Sequence, residues 1–223
     1  MSWVSTELYY RHINRIVNKA RGGLTSAPLI IESLNFDEVA RARTHEEWAE
    51  DCAILVASAR RLEAAGATAI LICANSMHKV YKEVSEAVGV PILHIADAVG
   101  RKLAVDKIES AALIGTANVM AESWYRQRLV SHGVTLAVAD PRRVSEIDTL
   151  VYDELVLGQP QTRNAERALK TIITNYEKTG VDAIVLGSTE LVLVVNTKAN
   201  VLPVYDSTEL HARMGADWIL GKE

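Results

Sequence analysis

The chain has 223 residues, 49% hydrophobic and 23% charged, with a net charge of −4 at pH 7. That length is enough for one large domain or two smaller lobes with a substantial core. The acidic balance offers no basic surface for nucleic acid, and the apolar runs are too short to span a bilayer. With only two cysteines and no signal-peptide core at the start, we expect a reduced cytoplasmic protein that binds neither nucleic acid nor membrane.

Short β-branched runs alternate with longer amphipathic stretches along the chain, which predicts parallel sheets with crossover helices. Strands are predicted over 27–33, 67–72, 90–95, 110–115, 134–139, 182–187 and 201–206. Helices are predicted over 6–19, 44–65, 76–87, 121–132, 163–178 and 207–220, where apolar residues recur every three or four positions.

Two stretches nearly repeat each other: GATAILICANSMH (66–78) and GVDAIVLGSTELV (180–192). After each comes a helix and then a strand containing a proline, in VPILHIAD and VLPVYDST. The duplication predicts an α/β fold of two pseudo-symmetric lobes, 1–104 and 105–223, each with a four-stranded parallel sheet flanked by helices. The last helix is free to pack back on the first lobe.

The second lobe opens with a strand, ESAALIG, before its first helix, whereas the first lobe begins at the turn before its helix. By internal symmetry, a strand of about five to seven residues is expected directly before Met1. Such a strand would be central, so the first lobe is expected to lack one of its four strands.

Ligands of parallel α/β sheets bind at the carboxyl ends of the strands. The four loops there are SLNF (33–36), CANS (73–76), GTAN (115–118) and STE (188–190). Backbone N–H groups at helix starts, with small hydroxyl and amide side chains, would cradle a carboxylate. No phosphate-binding glycine motif is present, and no His or Cys pair has the spacing of metal ligands.

Cys73 follows an apolar strand and precedes a helix predicted from Ser76. The positive end of that helix is expected to lower the pKa of the thiol, making Cys73 a candidate base or nucleophile. A buried structural cysteine is the alternative, and this is our interpretation of Cys52.

Ser188 occupies the position equivalent to Cys73 in the repeat. A serine hydroxyl is a poor base unless another group takes its proton. Glu190 is close in sequence, but it would also suit a helix N-terminus. A triad of Ser188, His94 and Asp97 lacks the GxSxG turn, and an Asp at position 97 or 206 also fits a helix cap.

The motifs CANSMHKV, LGSTE, LHIADA and LPVYD, with MSW and LYYRHIN near the start, resemble those of the aspartate/glutamate racemase family. The resemblance spans essentially the whole chain and is closest to the L-aspartate/glutamate-specific branch. It implies a cofactor-independent amino-acid racemase, active as a homodimer, that moves one proton between two faces of the substrate α-carbon in a cleft between the lobes.

The resemblance also implies roles for individual residues. Cys73 and Ser188 match the two catalytic positions, and the substrate-binding positions are matched by Met1, Arg43, Asn75, Ser76, Thr116, Thr189 and Glu190. Arg43 would pair with a side-chain carboxylate, or is an exposed residue without a role.

Three features depart from the family: the absent first strand, Val4 in place of a glutamate, and Ser188 in place of the second cysteine. The serine predicts impaired racemisation. Two alternatives remain, namely a one-thiol decarboxylase or isomerase of small carboxylates, and a non-catalytic carboxylate-binding protein.

Overall fold

A computed structural model of the protein describes residues 1–39, 45–157 and 163–222. The chain divides into two compact units, Met1–Ile95 with His211–Glu223, and Ala96–Leu210. Arg43 lies outside the described residues. No helix in the described ranges is both long and apolar enough to cross a membrane.

Helices alternate with short strands along the chain. In order, the elements are α1 (Trp3–Arg21), α2 (Phe36–Val39), α3 (His45–Ala64), β1 (Ile70–Leu71), a 3-10 helix (Ser76–Val80), α4 (Tyr81–Glu86), β2 (Ile92–Leu93), α5 (Ile95–Val105), β3 (Ser110–Gly115), α6 (Ala117–Ala121), α7 (Ser123–Val130), β4 (Thr135–Leu136), α8 (Pro141–Asp153), a 3-10 helix (Leu155–Leu157), α9 (Arg163–Glu177), β5 (Ala183–Gly187), a 3-10 helix (Leu191–Leu193), β6 (Val204–Asp206) and α10 (Ser207–Ile219).

All strand pairs in both sheets are parallel, so the predicted α/β class is confirmed. The second unit contains the expected four-stranded sheet, in the order β4-β3-β5-β6. Its strands are backed by a buried core that runs from Ala112 to Val195 and takes side chains from β3, β5, α8 and α9. β3 and β5 are buried at almost every position, as expected for strands covered on both faces.

Among its described residues, the first unit has a two-stranded sheet of β1 and β2. The strand predicted over 27–33 is wrong: this segment belongs to no sheet, and Ile30 and Ile31 are 48% and 49% exposed. Its β-branched residues suit a strand, but a strand needs a partner, and no neighbouring strand lies beside this one among the described residues.

Four α-helices of the described residues were missed from the sequence, the short α2 and α6 and the longer α5 and α8. α8 carries a clear start signal, since the Asp140 carboxylate accepts a hydrogen bond from the backbone N–H of Arg142 at 2.9 Å and Pro141 occupies the first turn. The 76–87 helix is also corrected, because it begins as a 3-10 helix and becomes α-helical only at Tyr81.

β3 and β5 approach unusually closely at their carboxyl ends, where Gly115 pairs with Gly187. A Cβ on Gly115 would lie 2.6 Å from the backbone oxygen of Gly187, and a Cβ on Gly187 would lie 2.8 Å from Val119 Cγ1. At position 115 a Cβ would meet backbone, so glycine there lets the two strand ends lie in backbone contact, whereas at position 187 it would meet the side chains of Val119 and Leu113.

We therefore expect Gly115→Ala to lower the free energy of unfolding by about 1–3 kcal/mol, because its Cβ would meet backbone that cannot move aside. Denaturant titration followed by circular dichroism measures the change. Gly89→Ala is the control, since its Cβ would meet only the carboxylate of Glu63, at 3.2 Å. Equal stability of the two variants would contradict the close approach.

Candidate active site

The Cys73 loop follows β1, and side chains alternate between two apolar clusters along it. Ile70 and Ile72 pack with α3 and α4 residues, while Leu71 and Cys73 pack on a cluster of Tyr9, Ile13, Val17, Ala212 and Ala216. Cys73 is partly buried, and its Sγ lies 3.9 Å from the backbone oxygen of Leu71. The thiol therefore points toward hydrocarbon, with one weak polar contact.

The expected lowering of the Cys73 pKa is wrong. Burial raises the pKa of this thiol from 9.0 to about 12, because a thiolate loses its hydration among apolar groups. The segment after it is a five-residue 3-10 helix, too short to supply the dipole that a long α-helix provides. At neutral pH the free protein thus holds Cys73 as a thiol.

Asn75 and Ser76, the predicted carboxylate-binding pair, lie directly after Cys73. Asn75 is 3% exposed, and its backbone oxygen accepts the N–H of His78 at 3.2 Å. Its side chain does not cap the 3-10 helix that follows. Ser76 is partly buried, as is Met1, which packs beside the α3 cluster of the same unit.

His78 fixes the course of the Cys73 loop, a role that sequence analysis missed. Its Nδ1 donates to the backbone oxygen of Ala74 at 2.8 Å, and its Nε2 accepts the N–H of Ile95 at 3.2 Å. These two bonds require the neutral Nδ1–H tautomer. The ring lies 4.4 Å from that of His94, measured between centroids and with the two planes tilted by 55°, and His94 is also buried.

His211 is held in the same way on α10. Its Nδ1 accepts from the Tyr9 hydroxyl at 2.8 Å, and its Nε2 donates to the backbone oxygen of Leu93 at 2.8 Å. Three histidines spread over the sequence thus form one buried aromatic group with Tyr9 and Tyr81. Their spacing in the chain gives no periodic signal, so the group could not be foreseen.

In the second unit, the predicted residues follow two adjacent strands. Thr116 comes after β3 and Ser188 after β5, directly beyond the paired glycines. Thr116 is 5% exposed and starts α6, yet within the described ranges its Oγ1 has no hydrogen-bond partner. A buried hydroxyl without a partner costs free energy unless a ligand supplies one.

Ser188, Thr189 and Glu190 form a buried hydrogen-bonded group with exposures of 4%, 2% and 6%. The hydroxyls of Ser188 and Thr189 each donate to the same carboxylate oxygen, Oε2 of Glu190, at 2.9 Å. Glu190 therefore does not cap the short helix after it, and its side chain turns back to the serine. The sequence had left open whether Glu190 contacts Ser188 or caps a helix N-terminus.

Asp206 ends β6, next to β5, and it is a true helix cap. Its Oδ1 accepts the N–H of Thr208 at 2.8 Å. Burial raises the pKa of the carboxyl to about 6, even though the backbone hydrogen bond from Thr208 acts in the opposite direction. Asp206 is the second acidic group at the carboxyl edge of this sheet, after Glu190. The sequence analysis had interpreted Asp206 only as a helix cap.

The equivalent Asp97 is not a cap. Its two oxygens accept hydrogen bonds from the Arg128 guanidinium at 2.8 and 2.6 Å and contact His132 Nε2 at 3.1 Å. Burial alone would raise the pKa of Asp97, but these bonds lower it below its ordinary value. Asp97 is thus part of an ion-pair group with Arg128 and His132. The triad of Ser188, His94 and Asp97 is not formed, because the Ser188 hydroxyl donates to Glu190.

The part of the chain that the structure describes contains no group of three or more His, Cys, Asp or Glu side chains arranged to hold a metal ion. The predicted site residues of the first unit supply one thiol, one amide and one hydroxyl, and those of the second unit supply hydroxyls and a carboxylate. Groups of these kinds can bind a small charged ligand and move protons.

Comparisons with known proteins agree with the motifs. The model of the family described as Asp/Glu/Hydantoin racemase matches residues 1–215. A candidate Asp/Glu racemase from Yersinia pestis is 37% identical, with 99% of this chain and 96% of that chain covered and a TM-score of 0.88. An aspartate racemase homologue from Pyrococcus horikoshii OT3 is 30% identical, with 97% and 94% covered and a TM-score of 0.81.

An aspartate racemase from Picrophilus torridus shares the fold at 18% identity, with a TM-score of 0.71 and 99% and 91% of the two chains covered. The resemblance seen in CANSMHKV and LGSTE is thereby confirmed over nearly the whole chain. This protein belongs to the Asp/Glu/Hydantoin racemase family.

Proposed function

We propose that this protein is a cofactor-independent amino-acid racemase that acts on aspartate- or glutamate-like substrates, with Cys73 and Ser188 as the two proton-transferring groups. The observation that carries the proposal is the buried contact of Ser188 with the Glu190 carboxylate. It gives the serine the proton acceptor that a hydroxyl needs to act as a base. The relatives named as aspartate or Asp/Glu racemases support the substrate class.

The serine and the glutamate act as one relay. When Ser188 Oγ takes the α-proton, its own hydroxyl proton passes to Glu190 Oε2, so no free alkoxide forms. In the reverse direction, Ser188 gives its proton to the α-carbon and regains one from the protonated Glu190. The two directions therefore start from opposite protonation states of Glu190, while Cys73 serves the other face of the carbon.

The remaining site residues bind the substrate. Thr116 offers a buried hydroxyl without a partner, which suits a substrate carboxylate oxygen. We assign Asn75, Ser76 and Thr189 to the same task, with Met1 beside them, and Arg43 to the side-chain carboxylate. We propose a homodimer in the cytoplasm whose substrate is a small amino acid or dicarboxylate.

The high pKa of Cys73 sets the condition for the first step. A thiol with a pKa of about 12 is a weak acid but, once ionised, a strong base. Ionisation must therefore accompany substrate binding, when the ammonium group of the amino acid brings a positive charge near the sulfur. We expect Cys73 of the free protein to react slowly with thiol reagents at neutral pH.

The first test is exchange of the substrate α-hydrogen with deuterated water. We expect slow exchange with L- or D-aspartate or glutamate, loss of exchange in Cys73→Ala, and racemisation at least about 10-fold faster in Ser188→Cys, since a thiol is a far better base than a hydroxyl. Proton NMR of the α-hydrogen and chiral chromatography measure the two rates. Unchanged rates in both variants would refute the assignment.

The same assay separates the alternative functions. Carbon dioxide release would favour a decarboxylase, and tight binding without exchange would favour a carboxylate-binding protein.

Glu190→Gln tests the relay separately. Glutamine can still accept the Ser188 hydroxyl through its amide oxygen but cannot take a proton, so we expect racemisation to fall by about 10²–10⁴-fold while the protein stays folded. Glu166→Gln, at an exposed position of α9, is the matched control and should keep its full rate. Full activity of Glu190→Gln would show that the serine works without the glutamate.

The pH dependence of Cys73 alkylation tests its ionisation, in a Cys52→Ser background that leaves one thiol. A pKa shift from 9.0 to about 12 lowers the thiolate fraction at neutral pH by about 10³-fold, so iodoacetamide should react that much more slowly than with an exposed cysteine. The rate should rise with pH throughout the range from 7 to 10. A plateau reached below pH 9 would contradict the burial of the thiol.

A further inference from the structure

The start of α6 is capped by a side chain from another helix of the second unit. Asp148, in the middle of α8, accepts the backbone N–H of Ala117 at 2.8 Å through its Oδ1. Ala117 is the first residue of α6, and Thr116 directly before it is the N-cap residue. Because 31 positions separate Asp148 from Ala117 in the chain, this cap depends on the tertiary structure and not on the local sequence.

The apolar core of the second unit holds the two helices against each other. Met120 of α6 is buried in the same cluster as Ile147 and Val151 of α8. Asp148 directly follows the buried Ile147 and is itself partly buried. Core packing therefore keeps the Asp148 carboxylate beside the start of α6.

Thr116 does not make the side-chain cap that its position favours. A threonine at an N-cap ordinarily accepts, through its hydroxyl, the N–H of the second or third residue of the helix. In α6 this side-chain bond is not formed. The backbone oxygen of Thr116 accepts the N–H groups of Val119 at 3.1 Å and Met120 at 2.9 Å, and Asp148 accepts that of Ala117. These three N–H groups are thus satisfied without the threonine hydroxyl.

The hydroxyl of Thr116 consequently keeps its hydrogen-bonding capacity. Thr116 is 5% exposed, and its Oγ1 finds no partner in the part of the chain that the structure describes. A buried hydroxyl in this state gains most from a ligand that brings an acceptor for its proton, such as a carboxylate oxygen.

We propose that Asp148 is a positioning residue, which caps α6 in place of Thr116 and so leaves the Thr116 hydroxyl free to donate to a carboxylate of the substrate. The inference rests on the proposed function, since it takes Thr116 as a substrate-binding residue. Asp148 acts only through the start of α6. Without its carboxylate, the Ala117 N–H loses its acceptor, the first turn loosens, and the Thr116 hydroxyl turns back to cap its own helix.

Calorimetric titration of full-chain variants with L-aspartate tests the inference. Thr116→Val removes the hydroxyl and should weaken binding by about 10-fold or more, as expected for a hydrogen bond to a charged group. Asp148→Ala should weaken binding by about 5-fold, because one cap shifts the population of the ordered helix start by about that factor. Asp148→Asn keeps an acceptor for Ala117 and removes a negative charge, so it should bind at least as tightly as the wild type. Glu146→Ala removes an exposed carboxylate from the same helix and, as the matched control, should bind like the wild type.

Three further readouts separate positioning from a general loss of stability. The double variant Thr116→Val/Asp148→Ala should bind no more weakly than Thr116→Val alone, because Asp148 acts through that hydroxyl. Amide hydrogen exchange of Ala117 should become about 10-fold faster in Asp148→Ala and stay unchanged in Asp148→Asn. In the racemase assay, Asp148→Ala should raise KM and leave kcat within about 2-fold of the wild type.

The results distinguish failure of this inference from failure of the proposed function. Weaker binding in Thr116→Val with unchanged binding in Asp148→Ala would overturn the role of Asp148 alone, as would additive losses in the double variant or unchanged exchange at Ala117. Unchanged binding in Thr116→Val would overturn the assignment of Thr116 and, with it, the role of Asp148. Failure of the wild type to bind L-aspartate would refute the proposed substrate class and this inference together.

Discussion

The contact of Gly115 with Gly187 is the constraint on which the second half of the candidate site depends. A Cβ on Gly115 would meet the backbone of Gly187, so the carboxyl ends of the two strands lie together in this way because residue 115 has none. Because the two glycines are the last residues of β3 and β5, Thr116 and Ser188 leave the sheet from neighbouring points. Backbone packing thus places these two residues, and the hydrogen bond to Glu190 then orients the Ser188 hydroxyl.

Burial affects the candidate groups of the two units in opposite ways. In the second unit, the Glu190 carboxylate lies among buried residues but accepts two hydroxyl hydrogen bonds, which compensate for lost hydration. In the first unit, the Cys73 thiol has only a long contact to a backbone oxygen, and burial raises its pKa. A thiol tolerates such surroundings because its neutral form has little hydration to lose, whereas a lone carboxylate would not. The two equivalent positions of the repeat, Cys73 and Ser188, therefore differ in their surroundings and not only in the side-chain atom.

The sequence predicted the features that repeat along the chain, and failed where contacts are distant in sequence. The positions of the four strands between residues 110 and 206 followed from hydrophobic runs, and the racemase family followed from the motifs of the two loops. The direction of the Cys73 pKa shift could not be predicted, because the cluster that buries this thiol comes from α1 and α10, which are far from Cys73 in the chain. The Glu190 orientation, the histidine group and the ion pair of Asp97 with Arg128 depend on side-chain geometry that no spacing encodes. α8 was missed although its cap and proline were visible, so that omission was avoidable.

The failed strand at 27–33 carries the most physical information. Its residues have the same β-branched character as those of β3, but a β-strand is stable only as part of a ladder, and its propensity describes how well a residue fits a pleated, half-buried surface. Among the described residues no strand pairs with this run, and Ile30 and Ile31 are about half exposed. β1 is only two residues long, against five for its counterpart β5, which pairs with a strand on each edge, whereas β1 pairs with β2 alone in the described part of the chain. A β-branched run thus forms a strand only as far as neighbouring strands pair with it.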